Sequence, residues 1–265
     1  MHKDNDLTER KTRIMEKLFL PGKNGYDIPV LLEADPAAKT AVIVVHGFSS
    51  DKSGVTAQRM RDALSSRGAA LAAFDLPAHG ESPVDGHQLT VENAVNDLAA
   101  VEELLHQRLP RVRVAFFASS FGAYLTSLYL ARRPRQLTPP RAVLRCAALT
   151  MPALLWAELG ALRQSKIEQG QVVYLDRYDP PFMISPEFIR SLKANDPFAC
   201  CRHDMADLLL IHGTADELAP LAEARRFSRR FDFPLIEIEG ADHRFQGEGQ
   251  MERLIGIALD HLCRP

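Results

Sequence analysis

The sequence predicts an α/β fold, a mostly parallel sheet of eight strands with helices on both faces. Three observations carry that expectation. Nearly unbroken apolar runs at residues 40–45, 69–74 and 112–117 have the character of strands buried on both sides. They alternate with longer stretches of helical periodicity, the order of successive βαβ units. At 265 residues, 46% hydrophobic and 25% charged, the chain can bury one full core as a single domain.

Residues 14–20 and 26–33 flank the turn-rich Pro21-Gly22-Lys23-Asn24-Gly25 and read as an antiparallel hairpin. A strand at 40–45, a helix at 55–67 and a strand at 69–74 follow. The helix at 91–109 places Val91, Val95, Leu98, Val101, Leu104 and Leu105 on one face. Strand 112–117 runs into a helix marked by Tyr124, Leu125, Leu128, Tyr129 and Leu130, and 142–148 is the sixth strand. Strand 208–211, helix 221–231, strand 235–238 and a helix over about 251–262 complete the order.

Roughly fifty residues, 150–204, separate the sixth strand from the seventh, far beyond an ordinary loop. They hold helical pieces at 152–163 and 186–193 and the turn-forming Asp179-Pro180-Pro181. An insertion at the carboxyl edge of the sheet reads as a cap (lid) subdomain within the single domain 1–265. Some of its apolar side chains must dock it on the core. Others are expected to face a substrate, and Trp156 and Phe182 are the substrate-binding candidates.

Ala118-Ser119-Ser120-Phe121-Gly122 sits where a strand turns directly into a helix. Such a turn exposes its central side chain above the sheet and demands small residues two before and two after it. Centring the turn on Ser119 would put Phe117 and Phe121 at those positions, so Ser120 is the candidate nucleophile. A serine hydroxyl needs a base, and the base needs a group to orient it. An apolar run ending at Ile211 leads into a loop carrying Asp216; residues 235–239 lead into Gly240-Ala241-Asp242-His243. Asp216 and His243 therefore sit past strand carboxyl ends, the edge where such sheets assemble sites. Asp242 is the alternative acid, adjacent to His243 in the chain. His46 is expected to shape its loop by hydrogen bonding, His79 and His87 lie in a loop near the site, and His212 reads as a core histidine.

With these residues in register, the chain resembles the α/β-hydrolase fold superfamily, and most of all its small bacterial carboxylesterases and serine aminopeptidase-like hydrolases with a short cap. His46-Gly47-Phe48 resembles the oxyanion loop, and residues 75–82 resemble the loop after the fourth strand. The elbow, acid and histidine loops follow in the family's order. The elbow departs in opening with Ala118, and the 75–82 loop in carrying Ala78 where glycine is usual. The resemblance implies a Ser120–His243–Asp216 triad, with the backbone N–H groups of Phe48 and Phe121 as the oxyanion hole. It implies a serine carboxylesterase for small to medium acyl esters. A peptidase or amidase, with the cap residue Glu158 receiving a substrate ammonium, is the related alternative; a non-catalytic binding protein of this fold is the third.

A net charge of −2 provides no attraction for nucleic acid or an anionic membrane. The clusters Arg132-Arg133-Pro134-Arg135 and Arg225-Arg226 with Arg229-Arg230 fall near helix C-termini, where cations suit the dipole. Residues 1–17 hold no apolar h-region, so no signal peptide is expected, and no run is long enough to span a bilayer. Cys146, Cys200, Cys201 and Cys263 form no disulfide framework, which suits a reducing cytoplasm. The Cys200-Cys201-Arg202-His203-Asp204 run lacks zinc spacing, and phosphate and dinucleotide loops are missing. No metal or cofactor is expected; the partner is a small-molecule ester or amide.

Overall fold

Strands sandwiched between helix layers must be apolar on both faces, and β3 (Thr40–Val45) is buried at all six positions. The computed structural model describes residues 14–134 and 137–264. Arg135 and most of the N-terminal stretch read above lie outside them. In chain order the elements are β1 (Ile14–Pro21), β2 (Asp27–Ala34), β3, α1 (Val55–Ser66), β4 (Ala70–Phe74), α2 (Val91–Arg108), β5 (Arg113–Ser119), α3 (Phe121–Arg132) and β6 (Arg141–Arg145). Then come α4 (Met151–Glu168), β7 (Val173–Leu175), β8 (Phe182–Ile184), α5 (Pro186–Lys193) and α6 (Pro197–Cys200). The chain closes with β9 (Asp207–Gly213), α7 (Leu221–Phe231), β10 (Leu235–Ile238) and α8 (Gln250–Leu262).

The main sheet has eight strands in the order β1-β2-β4-β3-β5-β6-β9-β10. The β1–β2 hairpin is antiparallel and joins β4 antiparallel; every pairing from β4 to β10 is parallel. Alternation along each strand sends side chains to two cores. Ala41, Ile43 and Val45 face α2, α3 and α7, whereas Val42 and Val44 face α1 and α8. The parallel carboxyl ends at Val45, Ser119, Arg145, Gly213 and Ile238 form one edge, and every candidate site residue hangs from a loop at that edge.

Two boundaries differ from the sequence reading by three residues or more. The sixth strand stops at Arg145, because Cys146 turns into left-handed backbone (φ 44). The helix expected at 152–163 continues to Glu168, interrupted by Gly160 at φ 67, ψ 165. The segment between β6 and β9 also forms the β7–β8 hairpin, whose three-residue strands are too short for a periodicity signal. Leu155, Leu159, Phe188 and Leu192 of this segment join the α2–α3 core. Polar ties reinforce that: the Ser185 hydroxyl donates to the Gly86 carbonyl at 2.9 Å and caps α5 by accepting from Phe188 N–H at 3.1 Å. The Val91 N–H at the start of α2 donates to Ser191 Oγ at 2.8 Å.

The basic clusters serve the fold where they are described. Arg133 pairs with buried Glu102, Arg225 with Glu237, and Arg226 with Glu223 while lying over the Phe198 ring.

Candidate functional site

Ser120 occupies the turn between β5 and α3 with φ 53, ψ −116, a strained conformation for a residue bearing a Cβ. Ser119, one residue earlier, is still in β5, paired with Arg145 and 5% exposed. The small flanks have a steric cause. A Cβ on Gly122 would lie 2.3 Å from the His46 carbonyl oxygen and 2.6 Å from that of Val45, and Ala118 is fully buried between β3 and β6. The Ser120 backbone is held on both sides, its N–H donating to Arg145 O at 2.9 Å and its carbonyl accepting from Ala148 N–H at 3.2 Å.

The loop after β3 approaches this turn closely. A Cβ on Gly47 would be 3.2 Å from Ser120 Cβ, so glycine fits here without a shift and any other residue would crowd the elbow. Phe48 N–H and Phe121 N–H, the two proposed oxyanion donors, have no acceptor among the described residues. The His46 ring holds the loop from beneath. Its Nε2 accepts from Leu76 N–H at 3.1 Å, which leaves Nδ1 to donate to Gly47 O at 2.8 Å; burial pushes this imidazole below its ordinary pKa. Buried Asp75 completes the clamp, taking Lys52 N–H at 2.7 Å, Lys52 Nζ at 2.6 Å and Glu81 N–H at 2.8 Å. Ala78 adopts φ 63, so the 75–82 loop keeps a glycine-like turn despite its methyl group. His79 is buried, donates to Pro77 O and is pushed down to about 3 by burial; His87 is exposed.

Asp216 lies past β9 with its side chain fully enclosed. Its Oδ1 accepts Leu218 N–H and Ala219 N–H, both at 2.9 Å, and its two oxygens stand 3.0 and 2.8 Å from His243 Nδ1. Burial works to raise this carboxyl, but bonds from His212, His243 and the Ala219 N–H outweigh it and hold it well below the usual carboxylate range. An acceptor at Nδ1 puts the ring proton there and leaves Nε2 as the free base nitrogen. Asp242 faces elsewhere: its Oδ1 accepts from Arg244 N–H at 3.1 Å and Gln246 N–H at 2.9 Å, shaping the turn. Two partners of the site were not anticipated. His212, buried as expected and bonded to Ala219 O at 2.9 Å, also stands 3.2 Å from Asp216 Oδ2. Cys146, the residue forced into left-handed backbone, brings its thiol beside the same carboxylate. Cys146, His212 and Asp216 could gather donors around a metal ion, their atoms within 4.8 Å of one another, but Asp216 is already committed to His243 and two N–H groups.

Acid and base loops are joined along their backbones. Thr214 N–H donates to Ile238 O and Ala215 N–H to Ala241 O, both at 3.0 Å. A Cβ on Gly213 would meet Ala241 O at 2.2 Å.

Ser120 and His243 line one cavity of about 1200 Å³ over the sheet edge. From the inserted segment, Met151, Leu154, Leu155, Glu158, Arg177 and Tyr178 form its wall. Trp156 and Phe182, the substrate-binding candidates of the sequence reading, are not among its lining residues. Phe182 packs on Phe48 (ring centroids 4.6 Å apart) and His79 (4.8 Å), and Trp156 lies under the Lys193 ammonium at 4.0 Å. Phe182 thus docks the segment on the oxyanion-type loop, whereas the Trp156–Lys193 contact joins α4 to α5 within the segment. Their aromatic character signalled burial, and no sequence pattern separates docking from lining. Glu158 does face the cavity, but its Oε1 is 2.9 Å from Arg177.

A parallel sheet with an elbow serine, an oxyanion-type loop, and an acid and a histidine on the next two strand ends defines an α/β hydrolase. A family model described as serine aminopeptidase, S33, matches residues 36–204. The chain belongs to that family, within the α/β-hydrolase superfamily. No match to a curated protein was found. Among solved structures, the chain is similar to Est1E from Butyrivibrio proteoclasticus with ferulic acid bound: TM-score 0.78, 18% identity, covering 93% of this chain and 100% of that one. It is similar to α/β hydrolase domain-containing protein 10 from mouse (TM-score 0.73, 20% identity, 92% and 97% covered). The esterase Pf2001 from Pyrococcus furiosus is a third (TM-score 0.70, 17% identity, 95% and 93% covered). At these identities the likeness is one of fold.

Proposed function

We propose that this hydrolase is a serine carboxylesterase acting on small to medium acyl esters through an acyl-enzyme, with Ser120, His243 and Asp216 as its triad. The observation that carries the reading is the His243 Nδ1–Asp216 pair at 2.8 Å, with His243 and a strained serine lining the same cavity. His243 Nε2 takes the Ser120 hydroxyl proton as Oγ attacks the ester carbonyl, then delivers it to the departing alcohol oxygen. Asp216 holds the ring tautomer and stabilises the imidazolium. Phe48 N–H and Phe121 N–H receive the oxyanion, donors worth roughly 3 kcal/mol each in related sites. Water activated by His243 then releases the acid.

The segment 150–204 acts in this reading as a cap whose Leu154, Leu155 and Tyr178 shape the acyl pocket. The ferulic acid seated in Est1E supports a carboxylic-acid-derived ligand in this fold. The peptidase alternative rests on Glu158, which lines the cavity. Its pairing with Arg177 favours the ester reading, since a substrate ammonium would have to displace a guanidinium. Four free thiols support a reducing, cytoplasmic setting.

A panel of p-nitrophenyl esters of increasing acyl length, run with Ser120→Ala and Ser119→Ala, tests the assignment. Ser120→Ala should lose almost all hydrolysis and all labelling by a fluorophosphonate, whereas Ser119→Ala keeps substantial activity. Equal loss at both serines, or loss at Ser119 alone, would overturn it.

A further inference from the structure

Arg145 closes β6 and touches both the candidate nucleophile and the candidate base. Its carbonyl oxygen accepts the Ser120 N–H at 2.9 Å, and its guanidinium Nη2 donates to the carbonyl oxygen of His243. The side chain is 6% exposed, and its Nε has no partner among the described residues. It makes no ion pair shorter than 4.0 Å with a described carboxylate, although the charges of Asp216 and Asp242 partly offset its burial; the Phe245 ring centroid is 5.4 Å from the guanidinium carbon. Burying a guanidinium without a carboxylate partner is costly, and an apolar side chain of similar length would fill the same space without that cost. Burial accordingly disfavours its charged form. Filling space alone therefore does not account for a charged side chain at this position.

The loop it grips explains it better. Between β10 and α8 the backbone enters the left-handed region at Gly240 (φ 66) and again at Phe245 (φ 58). Asp242 shapes the turn locally, and Phe245 plugs the α1–α8 core at 2% exposure. Neither fixes the His243 main chain relative to the elbow, and the backbone seam to the Asp216 loop ends at Ala241, two residues before it. A charge-assisted bond from a strand end does, because guanidinium-to-carbonyl bonds are stronger than neutral ones and the arginine stem is packed along its length.

Resting on the esterase reading above, we propose that Arg145 is the positioning residue that sets the separation between Ser120 and His243. It acts as a bar from the strand position that binds the nucleophile's N–H to the loop that carries the base. It touches no reacting atom. A shift of the order of 1 Å between reacting groups costs about a hundredfold in rate, so its loss should appear in kcat with KM little changed, for esters of any acyl length.

The test compares Arg145→Met, Arg145→Lys and Arg145→Ala with Ser120→Ala on p-nitrophenyl butyrate and octanoate, with melting temperatures for each. Arg145→Met should lower kcat about a hundredfold on both esters. Arg145→Lys, retaining a charged donor, should recover part of that loss. Arg145 lines the cavity, so ethylguanidinium added to Arg145→Ala should enter and restore kcat saturably, while ethylurea should not. Wild-type kcat in Arg145→Met would overturn the proposal. So would a loss confined to KM or to melting temperature, or one that neither lysine nor ethylguanidinium recovers. If Arg145→Met does not fold, the lysine variant and the ethylguanidinium titration decide alone. Hydrolysis surviving in Ser120→Ala is a different failure, which removes the esterase assignment itself.

Discussion

Replacing Asp216 by asparagine isolates what the acid does, because the surroundings dictate how the amide must sit. Oδ1 accepts two backbone N–H groups at 2.9 Å, from Leu218 and Ala219, and asparagine must keep its carbonyl oxygen there. Its NH2 then takes the place of Oδ2, 2.8 Å from His243 Nδ1. A donor at 2.8 Å, nearer than the amide oxygen at 3.0 Å, favours an accepting Nδ1, which moves the ring proton to Nε2, the nitrogen that deprotonates Ser120 in the proposed triad. The base is present and in place but in the wrong tautomer. A tautomer error of this kind costs about 10⁴ in kcat in a comparable triad, or roughly 5.5 kcal/mol of activation free energy. KM should change little. Asp242→Asn is the control: its Oδ1 bonds to Arg244 and Gln246 N–H groups can be kept by the amide oxygen, so kcat should stay within about threefold, an ordinary surface-site effect. Steady-state kinetics on p-nitrophenyl butyrate, with melting temperature as the check on folding, separates them. If Asp242→Asn is the more damaging, or Asp216→Asn keeps a tenth of wild-type kcat, the acid has been misassigned.

Three further outcomes can be checked. Phe182→Ala should cost about 3 kcal/mol of stability and leave the acyl-length profile unchanged, because its ring sits on Phe48 and His79; Leu154→Ala, on the cavity wall, should shift the profile with a smaller change in melting temperature. Gly47→Ala places a methyl 3.2 Å from Ser120 Cβ and should lower kcat about tenfold or more by pushing the oxyanion loop off the elbow. Asp97 is buried against Tyr26 and Asn24, and burial raises its carboxyl to about 7 against an ordinary value near 3.9. Its contribution to stability is complete below about pH 4 and lost as pH rises through about 7. The melting temperature of wild type should therefore fall by about a few degrees more than that of Asp97→Asn between pH 5 and 8; parallel curves would remove the buried titration.

Much of the fold and the main line of the candidate site were legible in the sequence because each rests on short-range chemistry. Strands buried on both faces need continuous apolar runs, and α7 and β10 fall on the residues their periodicity marked. The elbow's frame followed from sterics that the Gly122 contacts make explicit. What escaped notice depends on contacts between distant residues. Neither the apposition of Cys146 and His212 with Asp216, nor the reach of Arg145 to His243, leaves a trace in spacing. Trp156 and Phe182 illustrate the same point: an aromatic that packs a segment and one that lines a pocket look alike in sequence until the packing partner is known. Arg145 in particular falls midway along the strand read at 142–148, and only the structure places it at the strand's end.

The backbone seam between the loops of Asp216 and His243 has an evolutionary consequence. With Gly213 pressed on Ala241 and two N–H groups crossing the gap, neither loop can lengthen without displacing the other. Insertions and deletions there must be paired or purged. The stretch from α4 to α6 is under no such restraint, since it supplies wall side chains and makes no hydrogen bond to Asp216 or His243 among the described residues. In the proposed reading, descendants of this chain can rebuild the wall that this stretch supplies and leave the pairing of Asp216 with His243 intact.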